Sequence, residues 1–303
     1  MNITRRDFIY RSLVSMGLGV GALNALTACK KKEAYNYPIG VCDWSIGAAG
    51  NPTSLDIAKK IGLDGVQISS AKKKPEGDFY TKEEIAAYKA KMAETGMKIA
   101  STSPTCMNTN PFYLAKGTVE FTCSAIDAAA ELGSDCILLP FYGPANMQKP
   151  DKKMNEAFFK PLVERLKEVA PYAEKKGVMV ALENSISAEE NLKVLDAVGS
   201  NMVNVYFDIF NFQFYGHETL PALKALKGRI GQIHLKDAKH KLDSNSEFPR
   251  KMNEVLTTIA KDGYKGWMVL ESHGFSPKKE GYSDADLFKH NAEFTRNFYA
   301  NLK

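Results

Sequence analysis

Eight short apolar runs of strand length recur along this chain, at 39–46, 65–69, 98–103, 136–141, 179–183, 203–208, 230–234 and 267–271, and a stretch with helical spacing follows each. Strands separated by helices must run parallel, and eight such units are the number that closes a sheet into a ring. The expected architecture is therefore α/β, a single (β/α)8 barrel of the TIM type. A doubly wound open sheet would place Gly-x-Gly-x-x-Gly after the first strand. Here Gly40-Val41-Cys42-Asp43-Trp44 followed by Gly47-Ala48-Ala49-Gly50 has the wrong spacing.

The punctuation between the runs agrees with this reading. Glycines stand where helices should end before the next strand, at Gly62, Gly96, Gly133, Gly177, Gly228 and Gly263. Thr81-Lys82-Glu83-Glu84 offers a capping box for a helix reaching Glu94. A second helix is expected over 158–176, interrupted by Pro161 and Pro171, and a last one over 284–302. The longest irregular stretch, 237–248, is expected to cover the barrel mouth as a lid.

At 303 residues, 44% hydrophobic and 25% charged, the chain has material for one large core, which a barrel over 37–303 would consume. The net charge of +5 falls to about +3 without residues 1–28, which carry Arg5, Arg6 and Arg11 against Asp7. No basic stripe points to nucleic acid. Thr4-Arg5-Arg6-Asp7-Phe8, the Gly-rich apolar stretch to Ala28 and the ending Leu26-Thr27-Ala28-Cys29 have the pattern of a twin-arginine signal with a lipobox. The expectation is a periplasmic lipoprotein, cleaved after residue 28, lipidated at Cys29 and tethered through 29–36, with membrane contact through the lipid only. Twin-arginine export carries folded proteins, so a metal could be loaded before translocation. The other four cysteines form no Cys-x-x-Cys pair and receive no role.

Four of the runs end on a carboxylate or an imidazole: Val-Ala-Leu-Glu183, Val-Tyr-Phe-Asp208, Gly-Gln-Ile-His234 and Met-Val-Leu-Glu271. The carboxyl ends of parallel strands are where such folds bind ligands. Three carboxylates converging there repel one another, and a divalent cation removes the conflict. Three oxygens and one neutral imidazole nitrogen suit manganese, magnesium, cobalt, iron or zinc. Ligands carrying three negative charges leave about one net negative charge around a dication, which favours a neutral substrate.

Ala181-Leu182-Glu183-Asn184, Phe207-Asp208-Ile209-Phe210-Asn211, Ile233-His234-Leu235-Lys236-Asp237 and Leu270-Glu271-Ser272 make the chain resemble the xylose isomerase-like barrel superfamily of sugar isomerases, epimerases and inosose dehydratases, from about Tyr37 onward. The resemblance implies one divalent metal on Glu183, Asp208, His234 and Glu271. It also implies that Glu183 and Glu271 act as the acid/base pair, one removing a carbon-bound proton and the other returning it. By the same resemblance Glu189 would orient Glu183. Asn211 and His240 stand where epimerases of this group place a His and a substrate-gripping Arg, and with Lys236 and Trp44 they are the expected substrate contacts. Trp44, Phe141, Tyr142, Phe210, Phe212 and Phe214 lie near strand ends, where aromatic rings can stack on a sugar. The implied activity is isomerisation or epimerisation of an unphosphorylated sugar or keto-sugar through an enediolate, since sugar phosphates are cytosolic. The alternatives are a 3-keto-glycoside lyase or hydratase with the same parts, and a tethered sugar-binding protein without turnover. An endonuclease of the same superfamily would need more His ligands than the five present. Oligomerisation stays open.

Overall fold

The computed structural model describes residues 35–246, 249–272 and 284–302. The signal, the lipidation expectation at Cys29 and almost all of the tether lie outside them, as do the last two residues of the expected lid. From Asn36 onward the chain forms one compact unit.

Eight parallel strands close in sequence order, β1 (Ile39–Cys42), β2 (Gly65–Ser69), β3 (Lys98–Ser103), β4 (Cys136–Pro140), β5 (Met179–Glu183), β6 (Val203–Asp208), β7 (Ile230–Leu235) and β8 (Met268–Leu270), with β8 paired back onto β1. Among the described residues, one helix of more than a turn follows each strand: α1 (Ser54–Ile61), α2 (Lys82–Thr95), α3 (Thr118–Glu131), α4 (Glu156–Lys176), α5 (Ala188–Val198), α6 (Thr219–Ala225), α7 (Met252–Lys261) and α8 (Asp284–Asn301). A one-turn helix, Asn211–Phe214, precedes α6. The helices bury one stripe each; α1, for instance, turns Leu55, Ala58 and Ile61 inward and leaves its lysines in water. Among the described residues no helix is long and apolar enough to cross a membrane.

The expected glycines do end helices. Gly62, Gly96 and Gly177 are left-handed caps whose N–H groups bond back to carbonyls of the last turn. The Thr81 capping box forms as anticipated, with Glu84 returning the hydrogen bond.

Three features depart most from expectation. The first run is a strand only to Cys42, because the Asp43 carboxylate accepts from Gly50 N and Ser69 N and draws 43–46 into a 3-10 turn. α4 runs unbroken through Pro161 and Pro171. The carbonyls these prolines leave unpaired belong to Ala157 and Lys167, both exposed to water, so the usual penalty is softened. Finally, the described part of the expected lid is tied down: Leu242 N donates to Asn291 Oδ1 and Asn291 Nδ2 donates to His240 O, both across to α8.

Candidate metal centre

Side chains of a strand alternate between the two faces of the sheet, so positions two apart share a face. Ala181 and Tyr206 pack together inside the barrel with Cys136 and Leu138, and Val269 packs inside with Cys42 and Ala100. Two residues further along, Glu183, Asp208 and Glu271 point to the same interior, one layer nearer the mouth. His234 joins them from β7, in register with Asp208. The four side chains bring one ligand atom each to within 4.8 Å of one another, and all four are buried.

Asp208 divides its work between its oxygens. Oδ1 accepts from Phe210 N at 2.8 Å and Asn211 N at 2.9 Å, forming the turn after β6, whereas Oδ2 is buried with no hydrogen-bond partner. His234 Nδ1 lies 3.0 Å from Glu183 Oε1, 3.4 Å from Glu271 Oε2 and 3.9 Å from Asp208 Oδ2. Burial pushes the Asp208 carboxyl up to about 7; Glu271 and Glu183 add to the rise, against Lys236 and His234. Burial pulls the His234 imidazole and the Lys236 ammonium down, but the surrounding carboxylates, Glu271 foremost, outweigh it and hold both above their ordinary values. These shifts share one direction: the cluster carries excess negative charge and favours any bound positive charge. An orphaned carboxylate oxygen, three acids and an imidazole nitrogen form a donor set that fits a divalent cation.

The other expected residues fall around this cluster in different ways. Lys236 Nζ is 3.0 Å from Glu271 Oε2 and 3.8 Å from Asp208 Oδ2, while Asp237 accepts from Ser246 and Lys239 N. This buried ammonium changes the charge balance expected from the clustered residues alone, since a dication and Lys236 together offset the three carboxylates. Trp44 Nε1 donates to Glu271 Oε1 at 3.1 Å, and Asn211 Nδ2 lies 3.0 Å from the Tyr142 hydroxyl and 3.4 Å from Glu183 Oε1. His240 stays outside the cluster, with Nδ1 2.7 Å from Ser272 Oγ. Glu189 sits exposed in the first turn of α5. Of the aromatic candidates, Trp44 and Tyr142 line the mouth, Phe141 and Phe212 are core, and Phe214 is 58% exposed. Phe210 lies beneath the Lys236 ammonium, 5.4 Å from its ring centre.

Above the cluster opens a cavity of about 580 Å3, large enough for a small-molecule ligand. Of the four clustered residues, Glu183 and Glu271 line it; Asp208 and His234 stand behind them. Sequence reading passed over Gln67, which lies below the cluster and accepts at 2.8 Å from the far nitrogen of His234. A glutamine amide in the middle of the buried run Gly-Val-Gln-Ile-Ser was the available signal.

A 142-residue segment is 25% identical to inosose dehydratase 2 of Bacillus cereus (strain ZK / E33L), covering 39% of this chain; the chain spans about half the length of that curated relative, 48%. Among solved structures, D-allulose 3-epimerase from Methylomonas sp. in complex with D-allulose superposes with a TM-score of 0.67 at 16% identity, over 88% of this chain and 100% of that one. The apo form of 3-keto-D-glucoside 4-epimerase from E. coli does so with a TM-score of 0.67 at 15% identity, over 86% and 100%. At such identities the structural likeness speaks for the barrel alone. The sequence profile described as xylose isomerase-like TIM barrel matches residues 55–298, more than half of the chain, and the protein belongs to that family.

Proposed function

We propose that this protein is a divalent-metal-dependent enzyme of the sugar isomerase and epimerase type, acting on an unphosphorylated sugar or keto-sugar by removing a proton beside a carbonyl. The observation that carries the proposal is the division within the cluster: four ligand atoms converge, and the two glutamates among them also face the cavity. Glu183, Asp208, His234 and Glu271 would hold the cation. When bound, it would polarise the substrate's carbonyl and neighbouring hydroxyl and so acidify the carbon between them. Glu183 and Glu271 are the carboxylates that reach a substrate in the cavity, one taking the carbon-bound proton and the other returning it. The Trp44 indole N–H orients Glu271, and the Asn211 amide lies beside Glu183. Trp44, Asn211, Lys236 and His240, the last through Ser272, are the proposed substrate contacts. The preference for an unphosphorylated substrate rests on the export reading of the amino terminus, which we extend to a periplasmic, lipid-anchored location.

A second reading draws on the relatives' names: inosose dehydratases lose water, so a lyase or hydratase acting on keto-sugars could share the same first step. Both readings pass through an enediolate and part only afterwards.

The test is deuterium entry from D2O into carbon positions of unphosphorylated sugars, inososes and 3-keto glycosides, with Mn2+ and after chelation. Exchange with an intact skeleton supports isomerisation or epimerisation, and exchange with loss of water or aglycone supports the second reading. Glu183→Gln and Glu271→Gln should each slow exchange by about 10²-fold or more. Sugar binding without exchange on any substrate would make the protein a binding module.

A further inference from the structure

Beneath the candidate metal centre a chain of buried hydrogen bonds crosses the barrel, and each of its links has its direction forced by the one below. It begins at a backbone carbonyl. Ala100 O can only accept, so the group 2.6 Å from it on Gln232 is the amide nitrogen. Gln232 Oε1 therefore faces the Tyr206 hydroxyl at 3.2 Å, and the hydroxyl donates to it. The Tyr206 oxygen is then left to accept, from Gln67 Nε2 at 3.2 Å; the same NH2 group lies 2.7 Å from Ser101 Oγ. This orients the Gln67 amide with its oxygen upward, 2.8 Å from His234 Nε2 and 3.1 Å from the Cys42 thiol. Gln67, Ser101, Tyr206, Gln232, Cys42 and His234 are all 2% exposed or less, so bulk water does not compete for these bonds.

We infer that Gln67 is a positioning residue for the metal centre: its carbonyl, aimed by Tyr206 and Gln232, keeps the His234 proton on Nε2 and presents Nδ1 to the three carboxylates as the ligand nitrogen. The inference rests on the metal reading above and adds to it the element that sets the imidazole's tautomer and ring angle. An imidazole without this acceptor can shift its single proton to Nδ1 or turn about its Cβ–Cγ bond, and either change takes the Nδ1 lone pair away from an ion. Three strands other than the four that supply the ligands thus take part in the centre: β2 through Gln67, β3 through Ser101 and Ala100, and β1 through Cys42.

The test uses the full chain with Gln67→Met, which keeps the length of the side chain and removes its acceptor, and Tyr206→Phe, which removes the hydroxyl that aims Gln67. Long-range 1H–15N correlation spectra of histidine-labelled protein should show His234 with a hydrogen-bonded Nε2 proton both without metal and with Zn2+, and Nδ1 as the nitrogen whose signal moves on Zn2+ addition. In Gln67→Met the Nε2 proton should lose its hydrogen-bonded shift, and calorimetric titration with Mn2+ should show affinity about 10–100-fold weaker. Tyr206→Phe should weaken it severalfold, and circular dichroism should report a folded barrel. An unchanged Nε2 signal together with unchanged Mn2+ affinity overturns the inference, and so does a wild-type spectrum with the proton on Nδ1 in the Zn2+-loaded protein. If Gln67→Met does not fold, Tyr206→Phe decides by the same two readouts. A wild-type chain that binds neither ion overturns the metal reading instead, and the metal-free spectra of wild type and variants still decide whether Gln67 holds the ring.

Discussion

Asp43, the first residue after β1, has no exposed surface, and its carboxylate accepts from Gly50 N at 2.9 Å, Ser69 N at 2.7 Å and Ser69 Oγ at 2.8 Å. Burial pushes its carboxyl up to about 6, further than these hydrogen bonds pull it down. The folded chain therefore binds this proton more tightly than the unfolded chain does. The stabilising contribution is fully present below about pH 4 and is lost as pH rises through about 6. Asp43→Asn can keep all three bonds, its oxygen serving the two backbone N–H groups and its NH2 donating to a rotated Ser69 hydroxyl. Denaturant unfolding at pH 4 and pH 7 should show the variant gaining roughly 3 kcal/mol on wild type across that interval. Parallel pH curves would contradict it. At this scale the convergence of Glu183, Asp208, His234 and Glu271 was readable, because each ends an apolar run on the face that the strand alternation turns inward. Gln67, Trp44 and Lys236 were not readable in their observed roles. Their partners, His234 and Glu271, lie on strands 167, 227 and 35 residues away, and nothing local in the chain records such pairings.

Among the elements, α5 shows how the strand that carries Glu183 is held from behind. Ser187 caps it, accepting from Glu190 N, and Glu190 returns a bond to Ser187 N while also accepting from Met154 N. Between Glu183 and this cap, Asn184 and Asn191 exchange side-chain hydrogen bonds at 2.8 and 3.1 Å. Ser187→Ala should cost about 1 kcal/mol in urea unfolding and leave Mn2+ affinity unchanged, since the asparagine pair holds the loop beside Glu183 without the cap. Loss of affinity would show that the cap transmits to the site. The eight strand positions and the capped helices could be read because periodicity and caps are local properties. The unbroken α4 could not, because whether a proline breaks a helix depends on whether the carbonyl it orphans can reach water, and that depends on which face the finished barrel covers. The shortened β1 has a related cause: Asp43 finds two of its donors on Ser69 of the neighbouring strand.

For the whole molecule, closure of the ring sets the tightest packing. A methyl group on Gly65 would lie 2.5 Å from the backbone oxygen of Lys98 and 2.6 Å from the Trp267 ring, at the floor of the barrel where β1, β2 and β3 meet Trp267. Gly65→Ala should destabilise the fold by about 1–3 kcal/mol, read as a lower urea midpoint with an unchanged slope, because the backbone carbonyl cannot retreat as a side chain could. The same closure has a consequence for when the site comes into being. Trp44 and Glu271, joined by one hydrogen bond, come from opposite ends of the barrel sequence, on either side of the β1–β8 seam. A chain still being synthesised holds Glu183, Asp208 and His234 long before it delivers Glu271, and loop-closure entropy opposes any early docking across so many residues. The complete cluster at the mouth is therefore something that the nascent polypeptide acquires all at once, when its final strand zips the cylinder shut.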